Sequence, residues 1–510
     1  MLRRLSVSDW MYSAVVFAFT LATVRVWWLS AIVPGMDYPQ FLVFVRAAAD
    51  CGDVSSPFHG TYETASWLVP TVLPIQLVRF ASLVSHTSLE AAGRGLLAAQ
   101  GVGLVGASAF LLHALGRPRW AIALLFPLIH SRWTVVGGYV LFATSIPLVV
   151  LGWALAVRWL EDRRPRRGAM LAACLCATLL WHGIGFVVLG LGYAVLWATW
   201  RAPSWRARAW ACAPALPAAM QCVAWIASTF GVVPAGAGGP SPPVWMAPQD
   251  AADSIVEYVW TSVPHARGLA AVFALLVLLG SVFGPAQRSP AHVGATRWHA
   301  RNPFAVLSVA YLAAYFGFPM YVAHVEGVAN RFAYPAALAF VFAWSPPHRI
   351  AARALTLAAV LGFSAYCLVD LSSRFRAFDV ETRGASALID RVAPRDTLYY
   401  WPQDQGASKA FADAHKPTRE LQQYASIRSG GLPNSSFAGY GINYIRYVGG
   451  HNPMPGLAGP PRWIPSITRF DYVLSRAGQG PADPRFLLID KNEGWELYGV
   501  CGSARFPSCS

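Results

Sequence analysis

The sequence predicts an all-α polytopic membrane bundle carrying a small C-terminal extracytoplasmic domain of α/β or α+β type. Three observations predict it. Hydrophobic residues fill 55% of the 510 positions and charged residues only 13%, where a soluble domain carries roughly a quarter charged. Apolar runs long enough to cross a hydrocarbon core of about 30 Å alternate with short arginine clusters. From Ser373 onward these runs stop, and mixed helix and strand patterning takes over. The chain is therefore divided into a transmembrane part, residues 1–372, and a soluble domain, residues 373–510.

The first apolar run, 11–33, follows Arg3 and Arg4, which argues for a cytoplasmic N-terminus. It is too long for a signal-peptide core and reads as a retained signal anchor. Arg25 inside it must find water, a partner or the bundle interior. The chain then emerges as Pro34-Gly35-Met36-Asp37-Tyr38-Pro39, opening an outer loop, 34–66, that starts with an amphipathic surface helix over 40–50.

Further apolar runs lie near 67–84, 95–115, 120–130, 139–160, 168–200, 209–230, 269–283, 304–322, 332–344 and 352–371. The Arg clusters at 163–167, 201–208, 288–301 and 349–353 belong on the cytoplasmic side, which puts the C-terminal domain outside. This bookkeeping requires the 33-residue run 168–200 to be a hairpin of two short passages turning at His182-Gly183. It also makes either 67–84, which contains Pro70 and Pro74, or 120–130 an interfacial or re-entrant segment. About 11 crossings result. A second outer loop, 231–264, begins with a Gly/Pro-rich stretch and continues as a surface helix over 251–261, with Asp250, Asp253 and Glu257 on one solvated face.

In the C-terminal part, residues 381–392 read as an amphipathic helix stopped by Pro394. Strand-type runs follow at 397–401, 470–474, 485–489 and 495–498. Tyr399, Tyr400 and Trp401 either line a carbohydrate-binding face or, more simply, pack a core. Cys501 and Cys509 close a short loop and can pair in an oxidising compartment, whereas five other cysteines sit in apolar runs as small buried hydrophobes.

The net charge of +15 is not a nucleic-acid signature. Of 40 basic residues 37 are Arg, a bias that points to a GC-rich bacterial genome, and many lie between apolar runs where they set topology and meet anionic headgroups. The expected partner is the lipid bilayer, and no nucleic acid is expected.

The leading chemical candidate is Asp37. A carboxylate at the outer membrane surface can serve as general base toward a hydroxyl or orient it; the plainer reading is a helix N-cap. Arg331, in Asn330-Arg331-Phe332 at the start of a late span, offers a planar fork of donors suited to phosphate oxygens. It also reads as a snorkelling interfacial Arg or a partner of Glu326. The short loop before it carries His324 and Glu326, further candidates for substrate contact. His182, at the hairpin turn, can reach a pyrophosphate or sugar hydroxyl, though an interhelical hydrogen bond is the commoner role for such a residue. His59 and Glu63 have the i, i+4 spacing that on a helix could hold a divalent metal with Asp37; Pro57 and Gly60 weaken that helix.

With Asp37-Tyr38-Pro39, His182 at a short hairpin and Asn330-Arg331-Phe332 in view, the layout resembles the GT-C superfamily of polytopic membrane glycosyltransferases. The resemblance spans most of the chain as a pattern of signal anchor, acidic first outer loop, many spans and outer C-terminal domain. It implies transfer of a sugar from a polyprenyl-phosphate-linked donor to an acceptor outside the cytoplasm, in a bacterial inner membrane. The role of catalytic base or acceptor-orienting group then falls on Asp37. The paired Asp-Glu motif that would sharpen the match is missing. Two other classes compete: a transporter or flippase, for which pseudo-symmetric halves would be expected, and a non-catalytic membrane scaffold.

Overall fold

The computed structural model describes residues 7–35, 37–117, 119–129, 139–230, 242–260, 302–322, 325–344, 350–401, 406–411, 417–433, 443–450 and 467–508. Helices dominate the first two thirds. They are α1 (Val7–Val26), α2 (Asp37–Asp50), α3 (Val72–Ser85), α4 (Leu89–Ala114), α5 (Leu125–Ile129), α6 (Val140–Asp162), α7 (Pro165–Trp181), α8 (Gly183–Thr199), α9 (Trp205–Ala211), α10 (Leu216–Phe230), α11 (Pro248–Trp260), α12 (Pro303–Gly317), α13 (Ala333–Ala343) and α14 (Ile350–Ile389), with a short α15 (Gln423–Ser429) near the end. Short strands β1 (Tyr62–Thr64), β2 (Tyr321–Val322) and β3 (Val325–Glu326) interrupt them, and β4 (Leu398–Trp401), β5 (Ile445–Tyr447), β6 (Tyr472–Arg476), β7 (Phe486–Asn492) and β8 (Trp495–Val500) follow.

Among the described residues four helices are long and apolar enough to cross a membrane: Leu89–Ala114, Val140–Asp162, Trp205–Ser228 and Ala351–Ile389. Shorter apolar helices accompany them at Met11–Val26, Val72–Ser85, Gly183–Thr199 and Pro303–Gly317. The runs behind the expected count of about 11 resolve differently. Residues 120–130 form a 3-10 turn, Arg119–Leu124, followed by the five-residue α5. Residues 332–344 yield an 11-residue α13, and the run at 269–283 lies outside the described residues. The run at 67–84 becomes helical only at Val72, because Pro70 and Pro74 fit no deeper than a first helical turn. The hairpin at 168–200 is present, with His182 as the single residue between α7 and α8.

The helix expected over 381–392 is the tail of α14, which is 40 residues long and runs through the 372/373 division without a break. In this stretch Leu371, Phe375, Phe378, Ala385 and Leu388 form a buried apolar stripe at helical spacing, and i, i+4 ion pairs, Arg374–Asp370 at 2.8 Å and Arg383–Asp379 at 3.3 Å, lace its outer side. Beyond it the strands form a four-stranded sheet in the order β4-β6-β8-β7, with β4 and β6 parallel and the other pairs antiparallel. Side chains alternate between its faces. Tyr399, Trp401 and Val473 pack a small core on one side, while Tyr400, Tyr472 and Leu474 join a larger core on the other. All three aromatics of β4 are therefore packing residues. Cys501 is disulfide-bonded, and Cys509 lies outside the described residues.

That larger core merges the two ends of the chain. It contains Val26, Tyr38, Phe41 and Val72 from the first hundred residues and Leu388, Tyr424, Tyr447 and Trp495 from the C-terminal part. Strand β1, in the segment between α2 and α3, pairs antiparallel with β5, and the Tyr62 and Tyr447 rings meet at 5.1 Å. Polar contacts reinforce the join. Tyr424 Oη accepts from the Val33 N–H at 3.1 Å, and Arg428 grips Glu90 through Nε at 2.6 Å and Nη2 at 3.1 Å. Because of this cover, α2 is not the amphipathic surface helix the sequence predicts: ten of its 14 residues are buried. Asp250 and Asp253 of α11 are exposed as expected.

One buried carboxylate lies on this join. Glu420 Oε2 accepts from the side-chain amides of Gln40 (2.9 Å), Gln422 (3.1 Å) and Gln423 (3.2 Å). Burial pushes its pKa up, and the three amides and Arg419 only partly oppose the shift. A raised folded-state pKa stabilises below the unfolded value and is lost as pH climbs through the folded one. We therefore expect the melting temperature to fall as pH rises above the ordinary carboxyl range, and Glu420→Gln to flatten that slope. Thermal unfolding of both proteins from pH 4 to 8 checks this; parallel slopes would contradict it.

Candidate functional site

The 3-10 turn Ala329–Phe332 opens α13, and all four of its residues are buried, Arg331 being 7% exposed. The Arg331 Cζ lies 4.2 Å from the centroid of the Tyr139 ring, a cation–π contact that offsets part of the cost of desolvating a guanidinium. Tyr139 immediately precedes α6. The loop before Arg331 is pressed against the same ring: Gly327 has φ +70°, and a Cβ there would collide with the Tyr139 hydroxyl. Glycine is required at this position both by the left-handed backbone and by the close approach.

The hairpin tip meets the same helix end. His182 has extended backbone and caps α8, its Nδ1 accepting from the Gly185 N–H at 3.2 Å. Its ring lies edge-on to Phe142 at 5.6 Å. The tip is locked to α6 by Trp181 Nε1, which donates to Thr144 Oγ1 at 3.0 Å, and by the seating of Gly185 against Ser145. Burial and then the nearby Arg331 guanidinium hold the His182 pKa well below its usual value. The ring is thus neutral, and with Nδ1 accepting, its proton sits on Nε2 as a donor. Arg331 and His182, 149 positions apart in the chain, form one electropositive, donor-rich corner walled by Tyr139 and Phe142.

Asp37 is half-buried at the first residue of α2, where a helix N-terminus favours negative charge. The next residue, Tyr38, donates from its hydroxyl to the Glu90 carbonyl at 3.0 Å. Helix α2 packs against α6. The core that holds Tyr38 and Phe41 is also touched by Val140 and Leu141 at the start of α6 and by Leu180 beside the hairpin tip. The three sequence candidates Asp37, His182 and Arg331 are thus carried by elements that pack together around the beginning of α6.

The others stand apart. His59 lies in a run of turns, its Nδ1 3.0 Å from the Cys51 carbonyl, and Glu63 is exposed on β1. The helix that would have paired them does not form, because Gly60 takes φ +71° and β1 is drawn into pairing with β5. Among the described residues no group of three His, Cys, Asp or Glu side chains is placed to hold a metal ion, so these two do not fit one. His324 lies outside the described residues, and Glu326 is placed by its backbone on β3, opposite Tyr321. Arg25 is exposed in the last turn of α1. Sequence reasoning passed over Tyr139 and Phe142, although Gly137-Gly138-Tyr139 at the start of an apolar run marks a helix end with an aromatic beside it.

With the geometry in place, comparison with solved structures shows the fold: it is one this chain shares with two polytopic membrane proteins. The chain is similar over 98% of its length to ArnT from Cupriavidus metallidurans bound to undecaprenyl phosphate, with TM-score 0.56, 11% identity and 99% of that chain covered. The same protein in the apo state gives TM-score 0.54 at 10% identity, over 96% of this chain and 97% of that one. The arabinofuranosyltransferase AftD from Mycobacteria gives 0.52 at 12% identity, over 98% of this chain and 40% of that one. No family model and no curated protein sequence matches.

The His182 cap gives a direct test of the corner. Removing an N-cap acceptor costs about 1 kcal/mol, whereas Asn is itself a favoured cap. His182→Ala should lower the melting temperature and His182→Asn should restore most of the loss, measured by thermal unfolding in detergent. Equal losses in the two variants would show that the cap does not hold the hairpin tip.

Proposed function

We propose that this chain is a membrane glycosyltransferase that moves a sugar from a polyprenyl-phosphate-linked donor to an acceptor hydroxyl on the outer face of a bacterial inner membrane. The observation that carries the reading is the full-length similarity to a structure that holds undecaprenyl phosphate; the closeness of Arg331 to His182 supports it. In this reading the N-terminus is cytoplasmic, and the C-terminal sheet with the first outer loop lies in the periplasm.

The chemistry follows from the parts. The acceptor oxygen attacks the anomeric carbon, the bond from that carbon to the phosphate oxygen breaks, and polyprenyl phosphate leaves. Asp37 accepts the hydroxyl proton or orients the nucleophile. The planar fork of Arg331 and the Nε2–H of His182 meet the charge that grows on the departing phosphate, where donors fixed in advance act most strongly. Positioning supplies much of the remainder. No step here is assigned to a metal.

The test uses purified full-length protein in lipid nanodiscs, polyprenyl-phosphate-linked hexoses and pentoses as donors, and envelope extract as acceptor source. Polyprenyl phosphate release is followed. Asp37→Asn should lose roughly 10²–10⁴-fold in turnover while still binding undecaprenyl phosphate. Arg331→Gln should lose both. Wild-type turnover in Asp37→Asn, or undiminished lipid-phosphate binding in Arg331→Gln, would overturn the assignment.

A further inference from the structure

The two residues flanking Arg331 on its turn of helix carry an unexplained feature. Asn330 is 0% exposed, and neither its side-chain nitrogen nor its side-chain oxygen has a hydrogen-bond partner in the protein. Among the described residues no other buried side chain has two polar atoms in that condition. Tyr334, four positions on and 2% exposed, has a hydroxyl in the same state. Native structures rarely leave buried amides and hydroxyls unmet, and where they do, a missing water, ion or ligand is the usual reason. Three such atoms within one helical turn have nothing to do with holding the fold, since each opposes it.

Their chemistry and position narrow what could meet them. An amide presents a donor and an acceptor side by side, and a phenol adds a group that can do either. Such a set suits neighbouring hydroxyls that each both give and receive a hydrogen bond. A phosphate, which only accepts, would leave the Asn330 oxygen unmet. Asn330 and Tyr334 lie at i and i+4, so they share one side of the junction between the 3-10 turn and α13, and Arg331 lies next to both around the same turn.

We propose that Asn330 and Tyr334 form the subsite that reads the hydroxyl groups of the donor's sugar, adjoining the phosphate contact of Arg331. The inference rests on the glycosyltransferase reading and adds to it the residues that tell a sugar-bearing lipid phosphate from a bare one. A structural water is the other occupant with this hydrogen-bonding character, and the experiment separates the two.

The full chain in nanodiscs is titrated with undecaprenyl phosphate and with polyprenyl-phosphoglucose, polyprenyl-phosphomannose and polyprenyl-phosphoarabinose, and its melting temperature is recorded without ligand. Wild type should bind at least one sugar-bearing probe about tenfold or more tightly than undecaprenyl phosphate. Asn330→Leu, which keeps the number and branching of the heavy atoms, should keep undecaprenyl phosphate binding, lose that gain, and melt no lower than wild type when empty. Tyr334→Phe, which removes one oxygen and no packing, should lose part of the gain. The subsite is overturned if both variants retain the gain, or if no probe beats undecaprenyl phosphate on wild type. A lower melting temperature for empty Asn330→Leu with the gain intact would assign the amide to a buried water and also overturn it. Failure of wild type to bind even undecaprenyl phosphate would remove the glycosyltransferase reading itself, a result distinct from the others.

Discussion

The grip of the C-terminal part on the segment 34–66 is the interaction on which the rest of the structure depends. A helix of 14 residues starting at Asp37 is marginal in isolation. Here it is enclosed, with Gln40 held by Glu420 and Tyr424 hydrogen-bonded to the loop that leads into it. Arg428 with Glu90, and β5 with β1, tie the same cover to α4 and to the loop beyond α2. The charged pairs in this join are largely shielded from water, so breaking one would strand its partner, a cost of roughly 3–5 kcal/mol for a fully buried pair. The consequence for function is geometric. Asp37 begins a helix that is held in place by residues nearly four hundred positions away.

The second constraint is the way a guanidinium is kept among apolar neighbours. Arg331 is seated against the Tyr139 ring on a turn whose every residue is buried. Burial, and after it the Arg331 charge, hold the His182 pKa low, so that its ring is a donor through Nε2 rather than a competing cation. A fixed guanidinium beside a neutral imidazole donor is a combination suited to an anion. Its neighbours extend the same logic: a residue that stabilises nothing in the empty protein is best understood by what it would meet in the loaded one.

Much of the frame was readable in the sequence for simple reasons. A 33-residue apolar run with His182-Gly183 at its middle is too long for one passage, and the helix pair observed there follows. Strand-type composition located β4, β6, β7 and β8 to within three residues at each end. The buried stripe Leu371, Phe375, Phe378, Ala385 and Leu388, helped by the i, i+4 charges of residues 370–383, carries α14 across what composition marks as a domain boundary, a signal present in the sequence but outweighed by the change in polarity. Other features left no local trace. The burial of α2 depends on contacts between distant segments, and the pairing of β1 with β5 overrode the helical spacing of His59 and Glu63. Of the site, Asp37, His182 and Arg331 were singled out because ionisable groups beside a membrane need a reason to be there. Tyr139, aromatic and apolar in context, gave no such signal.

The most direct measurement of the central claim is a cryo-electron microscopy structure of the protein in a lipid nanodisc with undecaprenyl phosphate. Phosphate density within hydrogen-bonding reach of the Arg331 guanidinium, with Asp37 facing the same cavity, is the result this account predicts. A phosphate seated elsewhere, or Asp37 sealed away from the lipid headgroup, would contradict it.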